Sequence, residues 1–184
     1  MTRMIALLRG INVGTGNRIR MDALRKLFQE AGFSGVETYI QSGNVLFSTD
    51  APEVAVRDTI VRVLLEGAQI KTTVALRSAE ELAAIVLNCP FSNEEIASAQ
   101  HDNVEGESFY VYLLPQAPTP ETLPTLASLP QGPDRFVIIG RDVYLLLRQS
   151  VRNSKLAIKL QKTFPEATAR NWNTITQLYQ HSNQ

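Results

Sequence analysis

The residues best suited to ligand chemistry are concentrated in the segment "RGINVGTGNRIR", residues 9–20. This segment holds three arginines, two asparagines and three glycines, and a helix-like pattern begins near residue 21. Glycine-exposed backbone N–H groups beside a helix N-terminus favour an anion, and arginine adds charge-assisted hydrogen bonds. The expected chemistry is therefore recognition of a phosphate or carboxylate group. Taken alone, the loop is explained more simply as a long polar turn without a ligand.

The loop does not match either standard phosphate-binding motif. Its glycines at 10, 14 and 16 are not followed by Gly-Lys-Ser/Thr, and the third glycine of the dinucleotide fingerprint is absent. Ser42 lacks the pattern of a nucleophile elbow. The motifs offer amides and cations rather than the carboxylates or histidines of a general base. An enzymatic activity is therefore left open but is not favoured.

The overall charge of the chain is balanced. Its 184 residues include 18 Lys and Arg and 18 Asp and Glu, so no global field is directed at nucleic acid or a membrane. Two segments are nevertheless basic: residues 1–26 and 148–170 each carry six Lys or Arg and one acid. Residues 91–107 carry five acids and no Lys or Arg, which is typical of an acidic linker.

Metal ligands and membrane segments are scarce. Cys89 is the single cysteine, and the two histidines, His101 and His181, lie far apart in polar contexts. We therefore expect no disulfide, no metal site and no cofactor. The apolar run Met4–Leu8 is too short for a signal-peptide core or a membrane span. These features predict a cytoplasmic protein without a membrane partner.

The hydrophobic pattern predicts the same order of elements, β-α-β-β-α-β plus a helix, twice along the chain. In the first copy, strands are predicted at 3–8, 36–41, 45–48 and 71–76, and helices at about 21–31, at 52–67 and from a capping box at Ser78 to before Pro90. In the second copy, strands are predicted at 108–114, 135–139, 143–147 and 167–170, and helices from Thr119, at 153–163 and around Trp172.

We interpret this order as an α+β fold formed by internal duplication of a ferredoxin-like β-α-β-β-α-β unit. The predicted domains are residues 1–90, an acidic linker at 91–107 with a possible short helix at 93–98, and residues 108–184. Several strands, such as Met4–Leu8 and Phe109–Leu114, are apolar on both faces rather than alternating. The open faces of the sheets are therefore predicted to be covered, with the two copies packed together.

This topology predicts where the polar residues meet. Strands 1 and 2 of a split βαβ unit run parallel, so the loop after Arg9 and the hairpin Gln41–Asn44 lie at the same end of the sheet. In the second copy, Arg148–Lys155 and Arg170–Asn173 meet at the opposite end of their sheet. We expect the two groups to form one polar cleft between the repeats. The simplest alternative is that Asn153 and Asn171 are only helix caps and that Trp172 belongs to the core.

Five stretches together resemble one known family: "ALLRGINVG", "TYIQSGNVLF", "RSAEEL", "NSKL" and "TARNWNT". They resemble the bacterial family named domain of unknown function 1697, over essentially the whole chain. The resemblance implies the duplicated ferredoxin-like fold and implies no biochemical activity. The motif positions are nearly the residues that the topology argument selects. The candidate ligand-binding residues are Arg9, Gly10, Asn12, Gly14, Gln41, Ser42, Asn44, Ser154, Lys155, Arg170, Asn171 and Asn173.

Three classes of function fit these observations. The first is a binding module for a small anionic ligand, and the second is an enzyme that acts on a phosphorylated small molecule. The third is a binder of single-stranded RNA, with Tyr110, Tyr112 and Tyr144 on one face of the sheet as a base-stacking platform. Zero net charge and the two-faced apolar strands argue against nucleic acid, so the binding module is the favoured hypothesis.

Overall fold

Eight strands pair into two four-stranded antiparallel sheets in a computed structural model that describes residues 1–184. The chain divides into two units. The first unit contains residues 1–84 together with 177–184, and the second contains residues 85–176.

The first unit follows the order β-α-β-β-α-β. Its elements are β1 (Thr2–Leu8), α1 (Met21–Glu30), β2 (Ser34–Tyr39), β3 (Asn44–Thr49), α2 (Glu53–Ala68) and β4 (Val74–Ser78). The strand order across the sheet is β2-β3-β1-β4, and every neighbouring pair is antiparallel. Strand β3 therefore runs back between the parallel strands β1 and β2, as predicted for a ferredoxin-like unit.

Residue spacing explains the helices of this unit. Leu24 and Phe28 lie four residues apart on one face of α1, and both are fully buried. Phe28 packs edge-on against Phe47 of β3, with 5.5 Å between the ring centroids.

After β4, the predicted capping box is present: Glu81 N donates to Ser78 Oγ at 3.1 Å, and Ser78 N donates to the Glu81 carboxylate at 2.8 Å. It opens α3 (Ala79–Leu87), which leads from the first unit to the second.

The second unit repeats the same architecture. Its elements are α4 (Asn93–Asp102), β5 (Phe109–Leu113), α5 (Leu123–Ala127), β6 (Arg135–Ile139), β7 (Asp142–Leu146), α6 (Lys155–Thr163) and β8 (Thr168–Asn171). The last helix, α7 (Trp172–Ser182), begins in this unit, and its residues from 177 onward belong to the first. The strand order β6-β7-β5-β8 is that of the first sheet. The predicted α+β fold with duplicated ferredoxin-like units is therefore confirmed.

Two of the predicted elements change in extent. The helix predicted from Thr119 is confined to α5, five residues that contain Pro124 in the first turn, the position where the missing N–H of proline costs least. The acidic segment holds α4, whose N-terminus is fixed by a capping box between Ser92 and Glu95.

The central strands β1 and β7 are buried on both faces along most of their length. Along β1, Ile5 and Leu7 are as fully buried as Ala6 and Leu8, although successive side chains of a strand point to opposite faces. Val143–Leu146 of β7 show the same pattern. The prediction that these strands present no face to solvent is confirmed.

The N-terminal cap of α6 differs from the prediction by one residue. Ser154, not Asn153, is the cap: its buried hydroxyl oxygen accepts a hydrogen bond from Ala157 N at 3.0 Å and donates to Asp134 at 2.7 Å. Asn153 is exposed and lies in the preceding turn. The second partner of the hydroxyl, twenty residues away in sequence, explains why serine holds this position.

Replacing Ser154 with alanine is therefore expected to lower the free energy of unfolding by about 1–2 kcal/mol, because both a cap and a buried hydrogen bond are lost. Asn153→Ala is the matched control and is expected to change it by less than about 0.5 kcal/mol. Urea denaturation of both variants measures the difference. A larger loss of stability in Asn153→Ala than in Ser154→Ala would show that Ser154 is not the cap of α6.

Candidate functional site

The loop at residues 9–20 and the hairpin at residues 40–43 meet at one end of the first sheet, as the topology predicts. Leu8 N donates to Gly43 O at 2.9 Å, and the Asn12 side chain donates to Gln41 O at 2.9 Å. The connection that precedes β4 also reaches this end, where Arg9 N donates to Thr73 O at 3.1 Å. Three chain segments therefore form the surface around the candidate residues.

Asn12 fixes the shape of the loop. It adopts a left-handed backbone conformation with φ of 57°, which asparagine tolerates better than most residues. Its amide donates to Ile19 O at 2.9 Å, and its side-chain oxygen accepts from Ile19 N at 2.9 Å. Asn12 therefore closes the loop on itself and positions its neighbours.

Arg9 is the exposed cation of this surface. Its backbone is held firmly, since Thr72 Oγ1 donates to Arg9 O at 2.6 Å and Arg9 N is bound to Thr73. Its guanidinium, in contrast, makes no hydrogen bond or ion pair within the protein. An exposed arginine on a rigid backbone is well placed to meet an anion.

A depression of about 440 Å³ lies beside Arg9. It is lined by Arg9, Gly10, Asn17, Lys71, Thr72 and Thr73. We call it the Arg9 pocket. Lys71 adds a second exposed cation without an ion pair, and no carboxylate lines the wall. The lining therefore has a positive charge that nothing on the wall neutralises.

A wider depression of about 730 Å³ lies at the start of α1. Its arginines already have partners within the chain: Arg18 donates to Gly14 O at 2.5 Å, and Arg20 pairs with Asp22 at 3.1 Å. The Arg20 guanidinium lowers the pKa of the Asp22 carboxyl below its usual value. Asn12 and Gln41, two of the candidate residues, line this depression. A carboxylate at its wall makes it less suited to an anion than the Arg9 pocket.

The hairpin residues of the candidate set have structural partners. Asn44 is fully buried, and its amide donates to Tyr39 O at 3.1 Å and to Ser42 Oγ at 2.9 Å. Ile40 has a φ of 48°, a rare conformation for a β-branched residue, and is about half exposed. Gly43, with φ of 81°, lets the chain turn beneath Leu8 and Ile11.

The second-unit candidates follow β7 and β8 at the same end of their sheet, and two of them stabilise the N-termini of helices. Asn171 Oδ1 accepts from Thr174 N at 2.8 Å, which confirms Asn171 as the cap of α7. Lys155 and Asn173 are exposed, whereas Ser154 is buried as the cap of α6. Arg170 donates to Ala169 O at 2.9 Å, and burial lowers the pKa of its guanidinium to about 10, so it stays cationic at neutral pH. A cleft shared by the two groups of residues stays a prediction.

The proposed base-stacking platform is absent. Tyr144 lies opposite Val111, while Tyr112 lies opposite Val143, so the two tyrosines point to opposite faces of the second sheet. Both are buried: Tyr112 is 2% exposed and Tyr144 is 1% exposed. The prediction of three tyrosines on one face is therefore wrong, because it did not take into account the register of β5 and β7. Trp172 is partly buried and stacks on the buried Phe109, with 4.6 Å between the ring centroids.

A comparison with protein families decides the classification. Residues 1–144 match the model of a family described as "Protein of unknown function (DUF1697)". The chain belongs to the DUF1697 family. Its fold is similar to that of the conserved bacterial protein SP0830 from Streptococcus pneumoniae, with a TM-score of 0.80 and 23% sequence identity over 100% of this chain and 99% of the other. No curated protein matches the sequence.

Neither comparison assigns an activity to this DUF1697 chain, so its function has to be argued from the site. The sequence argument missed two residues that matter there, Lys71 and Thr72. A signal for them existed, since β4 of a ferredoxin-like unit runs antiparallel to β1 and its preceding connection must reach the loop after β1. None of the helices combines the length and the apolar composition that a membrane span requires.

Proposed function

We propose that this protein binds a small ligand with a phosphate or carboxylate group in the Arg9 pocket. The observation that supports this best is the pair of exposed cations, Arg9 and Lys71, which line one depression and have no carboxylate partner. A surface cation usually gains little from an ion pair, but two cations on one concave wall raise the local concentration of an anion.

The rigid backbone around the pocket favours binding further. Thr72 and Thr73 hold both backbone groups of Arg9, and Asn17 donates its amide to Lys71 O at 3.4 Å. Little loop ordering is then required when a ligand arrives, which reduces the entropic cost of association. Gly10 has a φ of 64° and no side chain, so a ligand oxygen can approach the backbone closely there.

The assignment of roles follows from the chemistry of each cation. The planar guanidinium of Arg9 donates two parallel hydrogen bonds to one phosphate or carboxylate group. The ammonium of Lys71 acts as a compact charge on a flexible stem and completes the neutralisation.

Titration with inorganic phosphate, pyrophosphate and citrate, followed by NMR chemical shifts, tests the proposal. We expect at least one of these anions to shift the resonances of Gly10 and Thr72. Arg9→Gln and Lys71→Gln are each expected to weaken binding about tenfold, equivalent to about 1.4 kcal/mol. Added salt should weaken it as well.

Arg25→Gln is the matched control. Arg25 lies on α1, is exposed and does not line the Arg9 pocket. Its replacement removes the same charge and should leave the affinity within about twofold, because a distant exposed charge is screened by salt. Equal weakening by Arg25→Gln, or unchanged binding in Arg9→Gln, would contradict the proposed site.

A further inference from the structure

A second cavity, of about 360 Å³, lies in the second unit and carries charges of both signs. Its lining includes Glu105, Glu107, Tyr110, Arg152 and Asn153. We call it the turn pocket, since one wall is the turn before α6. Its volume is at the lower end of the range for small-molecule sites, so it suits a ligand of few heavy atoms.

Hydrogen bonds fix both walls of the turn pocket. On one side, the Gln100 amide donates to Gly106 O at 2.9 Å, and the Asn103 amide donates to Glu107 O at 3.1 Å. On the other side, Asn153 N donates to Ser150 O at 2.9 Å. The cavity is therefore a preformed feature and not a gap between mobile loops.

The charged side chains of the pocket do not pair with one another. Arg152, Glu105 and Glu107 line the same small cavity, but no nitrogen of Arg152 lies within salt-bridge distance of either carboxylate. Arg152 lies in the turn before α6 and the two glutamates lie in the segment before β5, so unpaired charges of opposite sign from two segments line one cavity. A ligand with one positive and one negative end matches this arrangement.

Two uncharged groups of the pocket also lack partners within the protein. The amide of Asn153 is exposed and makes no hydrogen bond, because Ser154 caps α6 in its place. Tyr110 packs its ring against the core of the second unit beside Val151, and its hydroxyl makes no hydrogen bond within the protein. Burial and the nearby Glu107 raise the pKa of the Tyr110 phenol, so it keeps its proton as a hydrogen-bond donor.

We propose that the turn pocket binds a small zwitterion of the α-amino-acid class. The ammonium group of the ligand lies toward Glu105 and Glu107, and its carboxylate lies toward Arg152 and the Asn153 amide. The Tyr110 hydroxyl supplies a further hydrogen bond. This site is independent of the Arg9 pocket, which takes an anion without a positive group.

NMR titration of the full chain with the twenty common L-amino acids tests this proposal. We expect at least one of them to shift the resonances of Tyr110 and Asn153. For the amino acid that binds, the corresponding amine without the carboxylate and the corresponding acid without the amine should each bind at least about tenfold more weakly. If the acid without the amine binds as tightly as the amino acid, the pocket recognises only the anionic group and the proposal is wrong.

Substitutions of exposed residues locate the site without risk to the fold. Arg152→Gln and Glu107→Gln are each expected to weaken amino-acid binding about tenfold. Lys159→Gln and Glu94→Gln, exposed residues on α6 and α4 that do not line the pocket, are matched controls and should leave it unchanged. Arg9→Gln should also leave it unchanged, which separates this site from the Arg9 pocket. If no amino acid shifts these resonances, or if Arg152→Gln binds like the wild type, the proposal is wrong.

Discussion

Replacing Asp134 with alanine is expected to lower the free energy of unfolding by about 3 kcal/mol or more. Its carboxylate is 1% exposed and accepts three hydrogen bonds: from Arg148 N at 2.9 Å, from the Gln149 amide at 2.8 Å and from Ser154 Oγ at 2.7 Å. Each buried donor left without an acceptor costs about 1–3 kcal/mol. Urea denaturation followed by the fluorescence of Trp172, the single tryptophan, measures the loss within the second unit.

Asp102→Ala is the matched control for this prediction. Asp102 forms an ion pair with the Arg148 side chain, but the pair is exposed, and the hydrogen bond from Arg148 is the main reason that the pKa of Asp102 is lowered. Exposed pairs contribute little to stability, so the denaturation midpoint should change far less than for Asp134→Ala. Equal midpoints for the two variants would show that the buried carboxylate does not hold the second unit together.

Gly43→Ala is expected to destabilise the first unit by about 3 kcal/mol. A Cβ at this position would lie 2.9 Å from Leu8 Cβ and 2.9 Å from Ile11 Cγ1, closer than carbon atoms approach. Overpacking of this kind costs about 1–3 kcal/mol, and the left-handed backbone with φ of 81° adds about 1–2 kcal/mol for alanine. Chemical denaturation measures the total.

Gly14→Ala separates the two contributions. Gly14 has a φ of 61° in the same part of the unit, but a Cβ there would meet no atom within 4 Å. Only the backbone term is expected, about 1 kcal/mol. If the two glycine variants lose the same stability, steric contact beneath the hairpin is not the reason for glycine at position 43.

The strand order could be predicted from sequence because each strand is marked by its own composition. Apolar runs such as Met4–Leu8 and the turn at Gly43 are local signals, and the split βαβ order then leaves few ways to pair the strands. The same reasoning placed the loop after Arg9 beside Gln41, and the contact between Asn12 and Gln41 confirms it.

The roles of individual polar residues could not be predicted in this way, because distant partners decide them. Asn153 and Ser154 are both good cap residues, and the choice depends on Asp134 from another part of the chain. Tyr112 and Tyr144 face apart because of a register that only the paired strands reveal, and a shift of one residue reverses every face. Lys71 belongs to no sequence motif, and it lies near Arg9 only because the pairing of β1 with β4 places their connections at the same end of the sheet.

The identical strand order of the two units has an evolutionary consequence. After a duplication, selection on the buried strands keeps the scaffold of both copies, while the connections at their ends are free to change. One copy carries a cationic pocket with no acid on its wall, and the other carries carboxylates beside its arginine. Two copies of one scaffold thus present differently charged surfaces at the ends of their strands within one polypeptide.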